Sequence, residues 1–290
     1  MASYYNHSTL VYLNGEFIPA AHAQTDLYGQ TLHYGSGVFE GIRAYNTPKG
    51  TRIFKAREHY ERLHYSAQKM HLKLSHTVEE LIDISYQLLA KNNLQDAYIR
   101  PLVYSGVNMS LTPTPETHLF IAVWDWGRYL GSNLQRLYLS SFQRPNPKST
   151  FIGAKIVGHY TNSIMATTEA KGLGYDEALL CDCNGNIAEA SGANFFYEKD
   201  GELYTAPEGN ILRGITRATV IEIAQEMGVK LTQKLFDFET LKTADAAFLC
   251  GTAAEIAGVQ SVSEYQFPMD WQQSKGYQIH QIYRKLTTEG

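Results

Sequence analysis

Three dipeptides constrain this chain more than anything else in it: Asn14-Gly15, Asn184-Gly185 and Asp200-Gly201. Each sits between apolar runs. Asn-Gly and Asp-Gly favour the positive backbone angles of two-residue turns, so each commits its flanks to antiparallel strands. Residues 10–20, LVYLNGEFIPA, read as the first hairpin. Residues 177–183 and 186–197 read as the second, and Asp200-Gly201 closes a third. Residues 35–43 read as a loop running into a strand. Further strands are expected over 51–55, 98–105, 118–124, 135–142, 151–156 and 246–250. Helical spacing runs from Arg57 to Met70 through Leu63 and Ala67. Thr77 with Glu80 forms a capping box that opens a second helix. Other helices are expected over 158–172, over 215–227 where Gly228 ends it, and from about Ser274. Strands and helices come in blocks rather than in strict alternation, which predicts an α+β architecture. The run WDWGRYLGS, residues 124–132, carries two glycines and is the candidate linker.

Composition narrows the classes. A chain of 290 residues is long for one core, so one large or two medium domains are expected. The formal net charge of −4, with Lys and Arg dispersed, gives no nucleic-acid or membrane footprint. The N-terminus has neither a basic flank nor an apolar core, and no run approaches a membrane span, so a cytoplasmic protein is expected. Cys181, Cys183 and Cys250 fit a reducing compartment and read as small buried hydrophobes rather than metal ligands. Most of the 20 tyrosines are expected to be half-buried packing.

Four short segments could carry chemistry. Lys155 lies between Ala154 and Ile156, where an amine can be desolvated and become nucleophilic toward an aldehyde. A surface lysine at a strand end is the simpler local reading. Tyr160 starts the next helix and either donates to a ligand oxygen or packs. Glu189 lies between two alanines on a returning strand and is either exposed or paired. Gly214, Ile215 and Thr216 open a helix, where free N–H groups and the dipole attract a phosphate, although Thr also serves as an ordinary cap. Gly251-Thr252-Ala253-Ala254 follows a strand and offers small residues for close backbone approach. Arg57 opens another helix and could meet a phosphate or lie on a solvated face. His59 and His64 read as ordinary helix-surface residues. The chain has no nucleotide-phosphate glycine loop, no H-E-x-x-H and no G-x-S-x-G.

Taken in order, HYGSGVFEGIRAY (33–45), REHYERL (57–63), AYIRPL (97–102), WGRYLG (126–131), RGITR (213–217) and GTAAEI (251–256) resemble fold-type IV pyridoxal phosphate enzymes. The resemblance is greatest to the branched-chain amino acid aminotransferases and covers essentially the whole chain. It implies a two-domain, D-amino acid aminotransferase-like fold. The implied parts are a small N-terminal α/β domain (1–123), an interdomain loop (124–134) and a larger mixed-sheet, barrel-like cofactor domain (135–290). It implies pyridoxal 5'-phosphate as cofactor, no metal, a homodimer or higher homo-oligomer, and ping-pong transamination of L-leucine, L-isoleucine and L-valine with 2-oxoglutarate. Lys155 would bind the cofactor aldehyde and move the proton at the substrate Cα. Glu189 would meet the pyridine nitrogen and Tyr160 the phenolic oxygen. Arg57, Gly214, Ile215, Thr216, Gly251 and Thr252 would hold the phosphate. Tyr98 and the backbone of Thr252 and Ala253 would take the α-carboxylate, and Arg100 the second carboxylate of glutamate. Tyr34, Phe39, Gly41, Arg43, Trp126 and Tyr129 would shape the rest of the substrate site, with Tyr34 coming from a neighbouring subunit. The alternatives are a D-amino acid or (R)-amine transaminase, an aminodeoxychorismate lyase, or a non-catalytic relative. The family pattern is departed from at His159, Thr161 and Ala193 and in the short loop 106–115, which touches side-chain preference rather than cofactor contacts.

Overall fold

The computed structural model describes residues 4–127 and 133–289. The chain divides into two compact units. One holds the described residues up to Gly127 together with Ala154–His159, and the other holds the remainder. Tyr129 and most of the predicted linker lie outside the described residues.

The first unit is built on an antiparallel sheet. Its strands are β1 (Leu10–Leu13), β2 (Glu16–Pro19), β3 (Gly37–Phe39), β4 (Ile42–Thr47), β5 (Gly50–Ile53), β6 (Ala97–Ser105) and β7 (Thr117–Trp124). The order is β2-β1-β7-β6-β4-β5, and β3 also pairs with β6. Asn14 and Gly15 both take positive φ, as the hairpin between β1 and β2 requires. A short helix α1 (Gln30–Tyr34) precedes β3, and α2 (Ala56–Lys69) and α3 (Val78–Lys91) follow β5. Thr77 and Glu80 form the reciprocal capping box at the start of α3.

Strand alternation gives this sheet two different faces. Ile99, Val103, Leu119, Ile121 and Val123 join Tyr60 and Leu63 of α2 and Leu81 and Leu88 of α3 in one core. Burying each of these large apolar side chains stabilises the fold by roughly 1.5–3 kcal/mol. On the other face, Tyr98, Arg100 and Leu102 of β6 stand opposite Trp124, Ala122 and Phe120 of β7.

The second unit contains a barrel. Strands β8 (Gln135–Gln143), β9 (Glu177–Cys181), β10 (Ile187–Ala190), β11 (Asn194–Lys199), β14 (Ala246–Gly251) and β15 (Glu255–Val262) pair in the order β10-β9-β8-β15-β14-β11, and β11 pairs back to β10. That last pairing removes both open edges from the ring. Helix α4 (Tyr160–Gly172) makes the crossover between the parallel strands β8 and β9. Strands β12 (Glu202–Thr205) and β13 (Leu231–Gln233) extend the sheet from β11, and β16 (Tyr265–Gln266) pairs with β15. Helix α5 (Ile215–Glu226) packs on β14, and α7 (Lys275–Thr288) on β14 and β15. A single turn, α6 (Phe238–Leu241), lies between β13 and β14. The α+β class and the barrel-like second part are as the sequence implies.

Two local expectations differ. The strand expected over 151–156 is a turn, with only Ile156 bridging Val38. The run 186–197 is two strands, because Ala190 N–H turns back onto the Ala193 carbonyl. Cys183 is exposed and Cys181 partly so, leaving Cys250 as the one fully buried thiol. Among the described residues no helix is long and apolar enough to cross a membrane.

Candidate active site

In the first unit the chemistry-bearing residues gather on the polar-aromatic face of the sheet. Phe39 N–H donates to the Lys155 carbonyl at 3.1 Å, and Lys155 N–H donates to Ser66 Oγ of α2 at 3.0 Å. These bonds hold the 154–156 segment against β3 without a regular strand. The Lys155 Nζ lies 5.0 Å from the Phe39 ring centroid, and the Arg100 guanidinium carbon 4.8 Å from the same ring. An aromatic face attracts both cations without neutralising either.

Arg100 also lies over the Tyr98 and Trp124 rings at 5.2 and 5.8 Å. Its Nη2 donates to Tyr98 Oη at 3.1 Å, while its buried Nε has no hydrogen-bond partner. Tyr98 is itself buried, edge-on to Trp126 at 4.7 Å. Gly41 is required here, because a Cβ at that position would overlap the Tyr98 hydroxyl. Beside Arg100 an apolar cavity of about 480 Å³ opens over Leu102, Phe120, Ala122, Val11 and Leu13. Among the described residues Arg100 is the one charged side chain lining it.

Three expected residues are engaged elsewhere. Arg57 is exposed at the start of α2 and pairs with Glu79 at 2.7 Å. Such an exposed pair is worth little, so a phosphate can displace the carboxylate at small cost. Arg43 is buried and bonds the Trp126 carbonyl at 3.0 Å and Asp96 at 3.4 Å. Tyr34 is half exposed and bonds only the Met109 carbonyl.

The cation of α2 that turns inward is Arg62, with its side chain 11% exposed, and it meets a group that sequence reasoning missed. Glu40, fully buried, receives Arg62 Nε at 2.6 Å and Nη2 at 2.9 Å, and pairs with His59 Nδ1 at 2.7 Å. Burial opposes the Glu40 charge, but the Arg62 guanidinium and His59 outweigh it and hold the carboxyl well below the usual range. Burial likewise pushes the His59 imidazole below its ordinary value, with Glu40 opposing. His59 is 1% exposed, contrary to its surface reading. The available signal was the spacing of His59, Arg62 and Leu63, which share one helical face.

In the second unit Glu189 is buried at the end of β10. Its Oε1 receives Leu212 N–H at 3.0 Å and lies 2.9 Å from Arg144 Nε, and its Oε2 receives Asn194 Nδ2 at 3.0 Å. Asn194 also reaches the Leu212 carbonyl at 3.1 Å, which fixes the approach to α5. A Cβ at Gly214 would overlap Asn194 Oδ1, so only glycine fits between that network and the helix. Helix α5 starts after Gly214 with no side-chain cap, leaving its first N–H groups to another acceptor, and Thr216 is buried in that first turn. Gly251 packs near the Gly192 carbonyl, bringing the turn that carries Thr252 and Ala253 beside the 191–193 turn. Glu189, the Gly214–Thr216 segment and the Gly251 turn are thus collected in one unit. Arg144 and Asn194 carried no sequence signal, since Arg144 follows β8 in irregular chain.

A buried carboxylate paired with an arginine, near an uncapped helix N-terminus with glycines where a Cβ would fill the space, suits pyridoxal phosphate. The ring nitrogen needs an acid and the phosphate needs N–H donors. Comparison with known proteins points the same way. Residues 37–262 match the family described as Amino-transferase class IV, and the chain belongs to that family. It is 39% identical over 264 residues to the branched-chain-amino-acid aminotransferase of Escherichia coli K12, covering 88% of this chain and 85% of that one. The branched-chain aminotransferase of Thermoproteus uzoniensis, solved with norvaline, superposes with a TM-score of 0.93 at 37% identity, over 97% of this chain and 95% of that one. The branched-chain amino acid aminotransferase of Thermobaculum terrenum, solved in its PLP-form, gives 0.91 at 30% identity, over 97% and 94%.

Proposed function

We propose that this protein is a branched-chain-amino-acid aminotransferase, moving the amino group between L-leucine, L-isoleucine or L-valine and 2-oxoglutarate. One observation carries the reading: a single arginine, Arg100, stands among the rings of Phe39, Tyr98 and Trp124 with no acid partner among the described residues, and Lys155 lies over the same Phe39 ring. Aromatic walls suit aliphatic side chains. The lone guanidinium suits the second carboxylate of glutamate, and the aromatic faces stabilise it when the substrate is aliphatic.

Bound pyridoxal phosphate supplies the electron sink that stabilises charge at the substrate Cα. Lys155 moves the proton at that carbon. Glu189, paired with Arg144, Asn194 and the Leu212 N–H, holds the proton on the ring nitrogen. Tyr160 would bond the phenolic oxygen. Gly214, Ile215, Thr216, Gly251 and Thr252 would hold the phosphate, and Arg57 would be a further phosphate ligand on giving up Glu79. Tyr98 orients the α-carboxylate, as does the backbone of Thr252 and Ala253, while Phe39 and Trp126 exclude water.

A homodimer in the cytoplasm completes the reading. Exposed apolar side chains crowd two segments, Leu27, Tyr28, Leu32 and Tyr34 on one and Val107, Met109 and Leu111 on the other. The segments are tied together by Gln30 Nε2 on the Ser110 and Thr112 carbonyls. Such a patch suits burial by a second copy, with Tyr34 reaching its site.

The test is the half-reaction. Absorption spectra of the cofactor-loaded protein are recorded with L-leucine, L-glutamate, D-alanine and (R)-1-phenylethylamine. Conversion to the pyridoxamine form by the first two alone is expected. Conversion by D-alanine or the amine, without L-leucine, overturns the assignment.

A further inference from the structure

Glu40 belongs to none of the roles above, yet it is fully buried and both its carboxylate oxygens are bonded. Besides Arg62 and His59, its Oε2 receives the Gly41 N–H at 3.3 Å, and its own N–H donates to the Pro101 carbonyl at 3.0 Å. The contacts close a circuit. Helix α2 reaches Glu40 through His59 and Arg62. Glu40 follows Phe39, whose N–H holds the Lys155 carbonyl. Lys155 N–H returns to Ser66, on the same helix. Lys155 is near enough for its ammonium to disfavour protonation of His59.

We propose that Glu40 is a positioning residue for Lys155: it pins the turn between β3 and β4 to α2 and balances the Arg62 charge beside the reactive amine. Two effects are combined. Geometrically, the strand that presents Phe39 to Lys155 has no freedom to shift while Glu40 is held by the fork of Arg62. Electrostatically, loss of the carboxylate removes the negative charge that both Arg62 and His59 contact in a low-dielectric interior, which disfavours positive charge nearby, that of Lys155 included.

This rests on Lys155 being the cofactor-binding amine. The experiment uses the full-length protein loaded with pyridoxal phosphate, as parent, Glu40→Gln and Glu40→Asp. Four quantities are read: the pH midpoint of the visible cofactor band, kcat and KM for L-leucine, and the thermal midpoint. Glu40→Gln is expected to lower the band midpoint by about 1 unit and kcat by about tenfold or more, with KM changed far less. Glu40→Asp keeps the charge, so its band midpoint stays near the parent value while kcat falls a few-fold from the shortened reach. A Glu40→Gln protein that melts earlier but keeps the parent band midpoint and kcat overturns the proposal. If Glu40→Gln does not fold, Glu40→Asp decides: parent-like kcat overturns it. A parent that shows no visible band overturns the Lys155 reading and this one together.

Discussion

Each unit of the molecule buries one glutamate against one arginine, and the two pairs differ in what surrounds them. Glu40 is gripped by Arg62 and His59 from a helix and sits behind the strand that carries Phe39. Glu189 is gripped by Arg144, but its other donors are Asn194 and the Leu212 N–H, at the threshold of an uncapped helix with Gly214 and Gly251 close by. The chemistry of the pair is the same. The neighbourhood separates a carboxylate that braces the fold from one beside backbone that a planar ligand can approach. A buried ion pair is by itself weak evidence for either role.

Four substitutions or conditions separate the two regions further. Lys155→Ala is expected to have the largest effect, abolishing transamination of L-leucine while the thermal midpoint stays within a few degrees, since Lys155 is held through its backbone. Turnover at the parent rate would refute its role. Arg144→Met comes next. It leaves the buried Glu189 charge facing neutral donors such as Asn194 and the Leu212 N–H in place of a cation, a loss of about 3–5 kcal/mol by the usual penalty for a broken buried pair, and it should weaken cofactor retention as well. Chemical denaturation and dialysis against buffer without pyridoxal phosphate read the two, and parent values in both would break the comparison.

The third is a pH dependence. The folded-state pKa of Glu40 is depressed, so its contribution to stability is full above the unfolded value of about 4.3 and is lost as pH falls through the folded one. The stability gap between parent and Glu40→Gln should therefore hold from pH 7 to 5 and narrow only below about pH 4. A gap that narrows near neutrality would contradict that. Smallest is Arg57→Ala. Its proposed phosphate contact would be made at the expense of an exposed pair with Glu79, so cofactor affinity is expected to fall by only about fivefold. Affinity equal to the parent's would remove Arg57 from the phosphate site.

Much of this was legible in the sequence. Turn dipeptides placed the hairpins, the capping box placed α3, and short motifs singled out Lys155, Glu189 and the Gly214 and Gly251 turns as candidates. What was not legible follows from physical causes. Arg57 and Arg62 lie on the same helix with similar local surroundings, and only the rotation of α2 against the sheet decides which one turns inward. Nor does any local pattern show that the Arg43 guanidinium reaches the Trp126 carbonyl. Glu40 and Arg144 owe their meaning to partners distant along the chain, 22 residues away for Glu40, which no local pattern encodes. The strand expected around Lys155 failed because its backbone bonds go to Ser66 and Phe39 instead of a ladder.

The dual-substrate reading turns on Arg100, and the ratio of kcat/KM for L-glutamate to that for L-leucine tests it most directly. Removing a charged hydrogen-bond partner of one substrate alone should change that ratio by roughly 10- to 100-fold. In Arg100→Ala the expected result is a fall of that size for L-glutamate, with L-leucine within a few-fold of parent. Equal losses for both substrates would contradict the role of Arg100 as the receptor for the second carboxylate.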